Sequence, residues 1–108
     1  MTTRSCFLLR VRPEKLEPYL RDHENVWAEM QDALTAAGWR DYSLFVDRQT
    51  GLVVGTVVTD DFDDAQAQMA GREVNARWQA AMADYFEPVD DRVGPGDSIV
   101  LEPYFHLA

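Results

Sequence analysis

The apolar residues of this 108-residue chain follow two different periods. Over residues 5–12 the spacing is two: Phe7, Leu9 and Val11 alternate with Cys6, Leu8, Arg10 and Arg12, the pattern of a β-strand. Both faces of that strand carry apolar side chains, so it fits the middle of a sheet covered on its second side, with Arg10 pointing into the covered space. From Pro13 to Gly38 the steps become three and four. Leu16, Tyr19, Leu20, Val26, Trp27, Met30, Ala33, Leu34 and Ala37 then share one face of a long predicted helix that ends at Gly38. Pro13 suits a first helical position, whereas Pro18 makes the helix either start late, near Lys15 or Leu16, or bend. His23 lies on the apolar face, four residues after Tyr19 and four before Trp27, which predicts three stacked side chains on one wall. Asp22 and Glu24, its sequence neighbours, point about 100° away on a helix and make poor partners for it.

Two further strands are predicted over residues 42–46 and 52–59, joined by a polar connection that ends in Gly51. Residues 62–70 and 74–86 predict a second helical region broken near Gly71, with Val74, Trp78, Met82 and Tyr85 at helical spacing and Trp78 inward. Residues 87–97 contain Pro88, Gly94, Pro95 and Gly96 and read as a loop; residues 99–107 read as a last strand carrying Val100, Glu102, Tyr104 and His106 on one face. The order β-α-β-β-α-β predicts an α+β fold, the ferredoxin-like split βαβ, in one domain spanning residues 1–108. Both helices of that fold lie on one face of the sheet. A bare second face would leave a large apolar patch, so the strands predict a homodimer, a dimeric α/β barrel.

Charge narrows the partners. Nineteen acidic against ten basic residues give a net charge of -9, which repels nucleic acid and anionic membranes and suits a neutral small molecule. No apolar run approaches the ~20 residues of a membrane span. The single Cys6 cannot form an internal disulfide, and no leader pattern precedes it, so a cytoplasmic protein is expected. The two histidines, His23 and His106, stand far apart with no carboxylate or cysteine at a recognisable ligand spacing, and no metal is expected.

The sequence resembles the L-rhamnose mutarotase family over nearly its whole length. The resemblance is carried by Phe7-Leu8-Leu9-Arg10-Val11 before Pro13, by Tyr19-Leu20-Arg21-Asp22-His23 continuing to Trp27-Ala28-Glu29, by Tyr42 before Asp47, and by Arg77-Trp78. It implies a cytoplasmic dimeric α/β barrel that interconverts the α and β anomers of L-rhamnose without a cofactor, with His23 as the catalytic acid and Tyr19, Tyr42 and Trp78 as sugar contacts. Two positions depart from the family: Gln79 stands where a second tryptophan is usual, and His106 where an aromatic residue is common. Both bear on which sugar is taken.

The chemistry agrees with the residue types. Mutarotation moves a proton onto the ring oxygen while one leaves the anomeric hydroxyl, a task for a histidine, and general catalysis of this kind is worth ~10²–10⁴-fold. Aromatic plates with hydrogen-bonding tips suit a sugar, and Gln79, beside Trp78, is a further candidate contact. Trp27 reads as packing. Arg10 and Glu29 read first as members of a structural ion pair, with Arg10 as a candidate for a sugar hydroxyl and Glu29 as a candidate for orienting a catalytic group. Two other classes remain open. His23, Asn25 and Trp27 loosely match the inventory of dimeric α/β-barrel monooxygenases, some of them haem-binding, and ferredoxin-like domains also serve as non-catalytic ligand-binding modules.

Overall fold

The computed structural model describes residues 2–24 and 26–107. One antiparallel sheet is formed by β1 (Thr3–Val11), β2 (Arg40–Val46), β3 (Leu52–Thr59), β4 (Phe86–Glu87) and β5 (Ile99–Leu101). Its order is β2-β3-β1-β4, and β5 also pairs with β1. The helices are α1 (Leu16–Glu24), α2 (Ala28–Ala36), α3 (Phe62–Ala70) and α4 (Glu73–Met82). This is the ferredoxin-like α+β arrangement expected from the order of elements.

The alternation in β3 decides which way the sheet faces. Val53, Val57 and Thr59 are buried with Gly55 on one side, while Val54, Thr56 and Val58 are half-exposed on the other. Register places Leu9 opposite Val53 and Phe7 opposite Gly55, so the odd positions of β1 share the buried side. Val11, Val53, Leu16, Tyr19, Met30, Met69, Trp78 and Met82 join there in the main core, and Phe7, Val57 and Phe62 form a second cluster. Arg10 therefore lies on the opposite side, where its guanidinium donates to the Thr50 carbonyl at 3.2 Å.

The predicted helix over residues 13–38 is two helices. A 3₁₀ turn at Pro13–Lys15 leads into α1 at Leu16, which leaves Pro18 in the first turn, where its missing N–H costs no intrahelical bond. The second interruption precedes α2. Trp27 is extended (φ -53°, ψ 136°), and the Val26 carbonyl accepts from the Gln31 side chain at 3.0 Å instead of continuing α1. At the far end Gly38 takes φ 91°, and Trp39 N donates back to the Leu34 carbonyl at 2.9 Å, closing α2 with a left-handed cap.

Three more boundaries differ from expectation. Helix α4 gives way to a 3₁₀ turn at Ala83–Tyr85, and Phe86 and Glu87 pair with Val11 and Arg10 as a short strand. The last strand stops at Leu101, because pairing with β1 ends where Leu101 meets Cys6; Glu102, Tyr104 and His106 continue without a ladder. In β2 the register shifts between Arg40 and Ser43, with Asp41 at φ 49°, a bulge. Without the extra residue Tyr42 would be turned to the other side of the sheet.

Candidate functional site

The helices do not seal the sheet completely. A cavity of about 180 Å³ lies between β1, β2 and the helices, lined by Tyr19, His23, Tyr42, Gln66, Trp78 and Gln79 among others. It shares His23, Trp39, Tyr42, Leu44, Trp78 and Gln79 with an outer cleft of about 670 Å³, to which Glu24, Gln31, Thr35 and Asn75 also contribute. The combined space falls within the range of small-molecule sites.

His23 is oriented by its own helix. Its Nδ1 lies 3.1 Å from the carbonyl oxygen of Tyr19, one turn back. A carbonyl only accepts, so Nδ1 must carry the proton, and Nε2 is the nitrogen left to exchange one. The imidazole packs on Tyr19, with ring centroids 4.3 Å apart, and edge-on to Trp78 at 5.3 Å. Trp78 is buried, and Trp27 reaches it from the other side at 5.1 Å, again edge-on. The expected Tyr19-His23-Trp27 stack is thus replaced by a row in which Trp78 stands between His23 and Trp27. Interruption of the helix before Trp27 is the cause.

Tyr19, from α1, and Tyr42, from β2, line the same cavity. Burial, and next the neighbouring Tyr42, holds the Tyr19 hydroxyl well above the ordinary phenol range. Tyr42 leaves 36 % of its surface exposed, yet its hydroxyl end is enclosed by protein, and that burial pushes its pKa up to about 12. Both phenols are neutral donors across the physiological range. Tyr42 is fixed by Trp39, 5.1 Å away and tilted, whose indole N–H donates to the Ala65 carbonyl at 3.2 Å, and by Phe7 at 6.1 Å. Behind Tyr19, the Tyr85 hydroxyl donates to Asp22 Oδ2 at 2.7 Å, so Asp22 is engaged away from His23.

Of the residues expected at the site, His23, Tyr19, Tyr42, Trp78 and Gln79 are brought together around one cavity. Gln79 also donates to Asn75 Oδ1 at 3.4 Å. Arg10 is not among them, because strand alternation sends it to the far face of the sheet. Glu29 does not line the cavity: it pairs with Arg77 at 2.9 Å on the surface, and Arg77 lies 5.9 Å from the Trp27 ring. Asn25 lies outside the described residues. Trp39 and Gln66 are among the lining residues that the sequence alone did not point to. Trp39 follows directly on the Gly38 cap, and Gln66 shares the spacing of Phe62, Ala65 and Met69, so a polar residue on an apolar helical stripe was its signal. Among the described residues no group of three or more His, Cys, Asp or Glu side chains could hold a metal ion.

Comparison with known proteins gives this geometry a family. The chain is 40% identical over 102 residues to an L-rhamnose mutarotase of Burkholderia orbicola, covering 94% of this chain and 95% of that one. Among solved structures it is similar to an L-rhamnose mutarotase from Formosa agariphila, with a TM-score of 0.80 and 24% identity over 98% of this chain and 99% of that one. An antibiotic biosynthesis monooxygenase shares the fold alone, with a TM-score of 0.61 and 16% identity over 96% of this chain and 99% of that one. The sequence model of the L-rhamnose mutarotase family matches residues 4–107, and the chain belongs to that family.

Proposed function

We propose that this protein is a sugar mutarotase that interconverts the α and β anomers of L-rhamnose or a related sugar, with His23 moving the proton. Family membership carries the isomerase class. The observation that supports the mechanism is the hydrogen bond from His23 Nδ1 to the Tyr19 carbonyl, which leaves Nε2 free beside a cavity of sugar size. The anomeric oxygen and the ring oxygen are bonded to the same carbon, so one nitrogen can serve both in succession. As Nε2 takes the proton of the anomeric hydroxyl, C1=O forms and the bond from C1 to the ring oxygen breaks; the imidazolium returns the proton to the freed oxygen. Rotation about C1–C2 and closure in the reverse sense gives the other anomer.

Tyr19 and Tyr42 orient the sugar as neutral donors, because burial holds their protons on. Trp78 supplies an apolar surface for the ring, and Gln79 a donor and an acceptor for its hydroxyls. No cofactor takes part in these steps. The sugar is the partner, and the enzyme works in the cytoplasm as a homodimer. Among the described residues no helix is long and apolar enough to cross a membrane.

The test is anomeric exchange measured by NMR with L-rhamnose, L-fucose, D-mannose and D-galactose, against buffer alone. Acceleration for at least one sugar is expected. A protein that binds a sugar yet leaves every exchange rate at the buffer value is a non-catalytic binding module, and the proposal fails.

A further inference from the structure

The helix that carries His23 is short. Helix α1 spans Leu16–Glu24, nine residues, and His23 stands in its last turn, where carbonyls lack helical partners and local opening is easiest. The bond from its Nδ1 to the Tyr19 carbonyl exists only while that turn is wound. One residue of another element holds the turn. Tyr85 closes the 3₁₀ turn after α4 and meets the segment from Arg12 to Asp22 at three points. Its carbonyl accepts from Arg12 N at 2.7 Å, its ring lies edge-on to Tyr19 at 6.2 Å, and its hydroxyl donates to Asp22 Oδ2 at 2.7 Å. Among the described residues that last bond is the only side-chain hydrogen bond joining the final turn of α1 to another element. Local preference does not explain Asp22, since a carboxylate near a helix C-terminus is set against the macrodipole.

We infer that Tyr85, acting through Asp22, is a positioning residue for His23: the hydrogen bond between them keeps the last turn of α1 wound and so holds the imidazole in the orientation that proton transfer needs. The inference rests on the mutarotase reading above. Neither Tyr85 nor Asp22 lines the cavity or the cleft, so both act on His23 and not on the sugar. The hold has a rigid base, because Phe86, the next residue, pairs with Val11 in the sheet. Trp78, on α4, packs edge-on to the imidazole at 5.3 Å, so one stretch of chain supports the ring through Trp78 and the backbone that carries it through Tyr85. Only the hydroxyl requires a tyrosine at 85; a phenylalanine ring packs beside Tyr19 equally well and leaves Asp22 without its donor. Misplacing a reacting group by about 1 Å can cost about 10²-fold in rate, so a turn that opens part of the time is expected to cost about tenfold.

The test measures kcat and KM for anomeric exchange, with the sugar of the panel that the wild type exchanges fastest, in Tyr85→Phe, Asp22→Ala, Asp22→Asn and the Tyr85→Phe/Asp22→Ala pair, with circular dichroism melts to establish folding. Tyr85→Phe is expected to lower kcat about tenfold with KM within about twofold, because the residues that contact the sugar are untouched. Asp22→Ala should lose as much and the pair no more, since both remove one bond. Asp22→Asn keeps an acceptor for the phenol and should restore kcat to within about threefold of the wild type. Tyr85→Phe is also made in His23→Asn, where the residual exchange should not fall further. A kcat unchanged in folded Tyr85→Phe, a loss carried by KM, or an equal loss in the His23→Asn background overturns the inference and leaves the mutarotase reading intact. Asp22→Ala decides the same question if Tyr85→Phe does not fold. A wild type that accelerates no sugar of the panel fails both readings together.

Discussion

Phe7 lies flat across Gly55, its register partner on the neighbouring strand, so closely that a Cβ at Gly55 would fall 2.4 Å from the ring. The glycine is there to admit the ring. From that position Phe7 stacks near Phe62 at 6.2 Å and tilts against Tyr42 at 6.1 Å, so a backbone choice in β3 sets the floor under a cavity side chain. Gly55→Ala is expected to destabilise the fold by ~1–3 kcal/mol, the cost of overpacking, and to displace Tyr42 along with Phe7. Thermal or urea melts measure the first effect. A stability within experimental error of the wild type would mean that Phe7 has other room.

Replacing His23 addresses the proton transfer directly. His23→Asn preserves a side chain able to donate to the Tyr19 carbonyl but has no group that can accept and release a proton near neutral pH. The variant should fold normally while anomeric exchange falls by ~10²-fold or more. Near wild-type exchange in the folded variant would remove His23 from the mechanism.

How legible this site was depended on how local its causes are. The strand of β1, the hairpin of β2 and β3, and helix α3 follow directly from periodicity and turn residues, since each pattern is confined to one element. Tyr19 and His23 were visible for the same reason, being one turn apart on α1. What escaped was set by contacts between elements. Trp27 looked continuous with α1, yet its packing against Trp78 accompanies a break that no proline or glycine announces. Arg10 was expected in a covered space that could face the site, but only the register with β3 fixes which side is which. The bulge at Asp41 that turns Tyr42 inward leaves no trace in hydrophobic pattern, because Asp at positive φ is a choice of backbone.

The tyrosines give a pH signature. Burial raises the Tyr42 pKa from 10.0 to about 12, so the folded state holds a proton that the unfolded chain releases earlier. The associated stability is fully present below pH 10 and is lost as the pH rises from 10 through about 12. Melting temperature should therefore fall over that window more steeply in the wild type than in Tyr42→Phe, and ultraviolet titration should show one fewer late-ionising phenol in the variant. Equal slopes for the two proteins would place the Tyr42 hydroxyl in water.

The last expectation concerns the face of the sheet that carries no helix. Leu8, Val54 and Val58 lie there half-exposed, and Phe45, opposite Val54, leaves 61% of its surface open. Beyond β5, Tyr104, Phe105 and Leu107 are 97%, 77% and 81% exposed, in a segment that skirts the same region near Cys6 and Thr56. An apolar strand face and an apolar tail side by side make a large patch for a lone protomer, and a second copy of the same face is its simplest cover. Light scattering at micromolar concentration should give twice the chain mass. Phe45→Lys sets a charge at the centre of the face and should shift the equilibrium toward the monomer by at least tenfold in Kd, because an unpaired charge is costly to bury. The outer face lies across the sheet from His23, so exchange per chain should fall less than the dimer fraction does. A wild type that runs as a monomer at every concentration would remove the dimer, and with it the barrel that two such sheets would form.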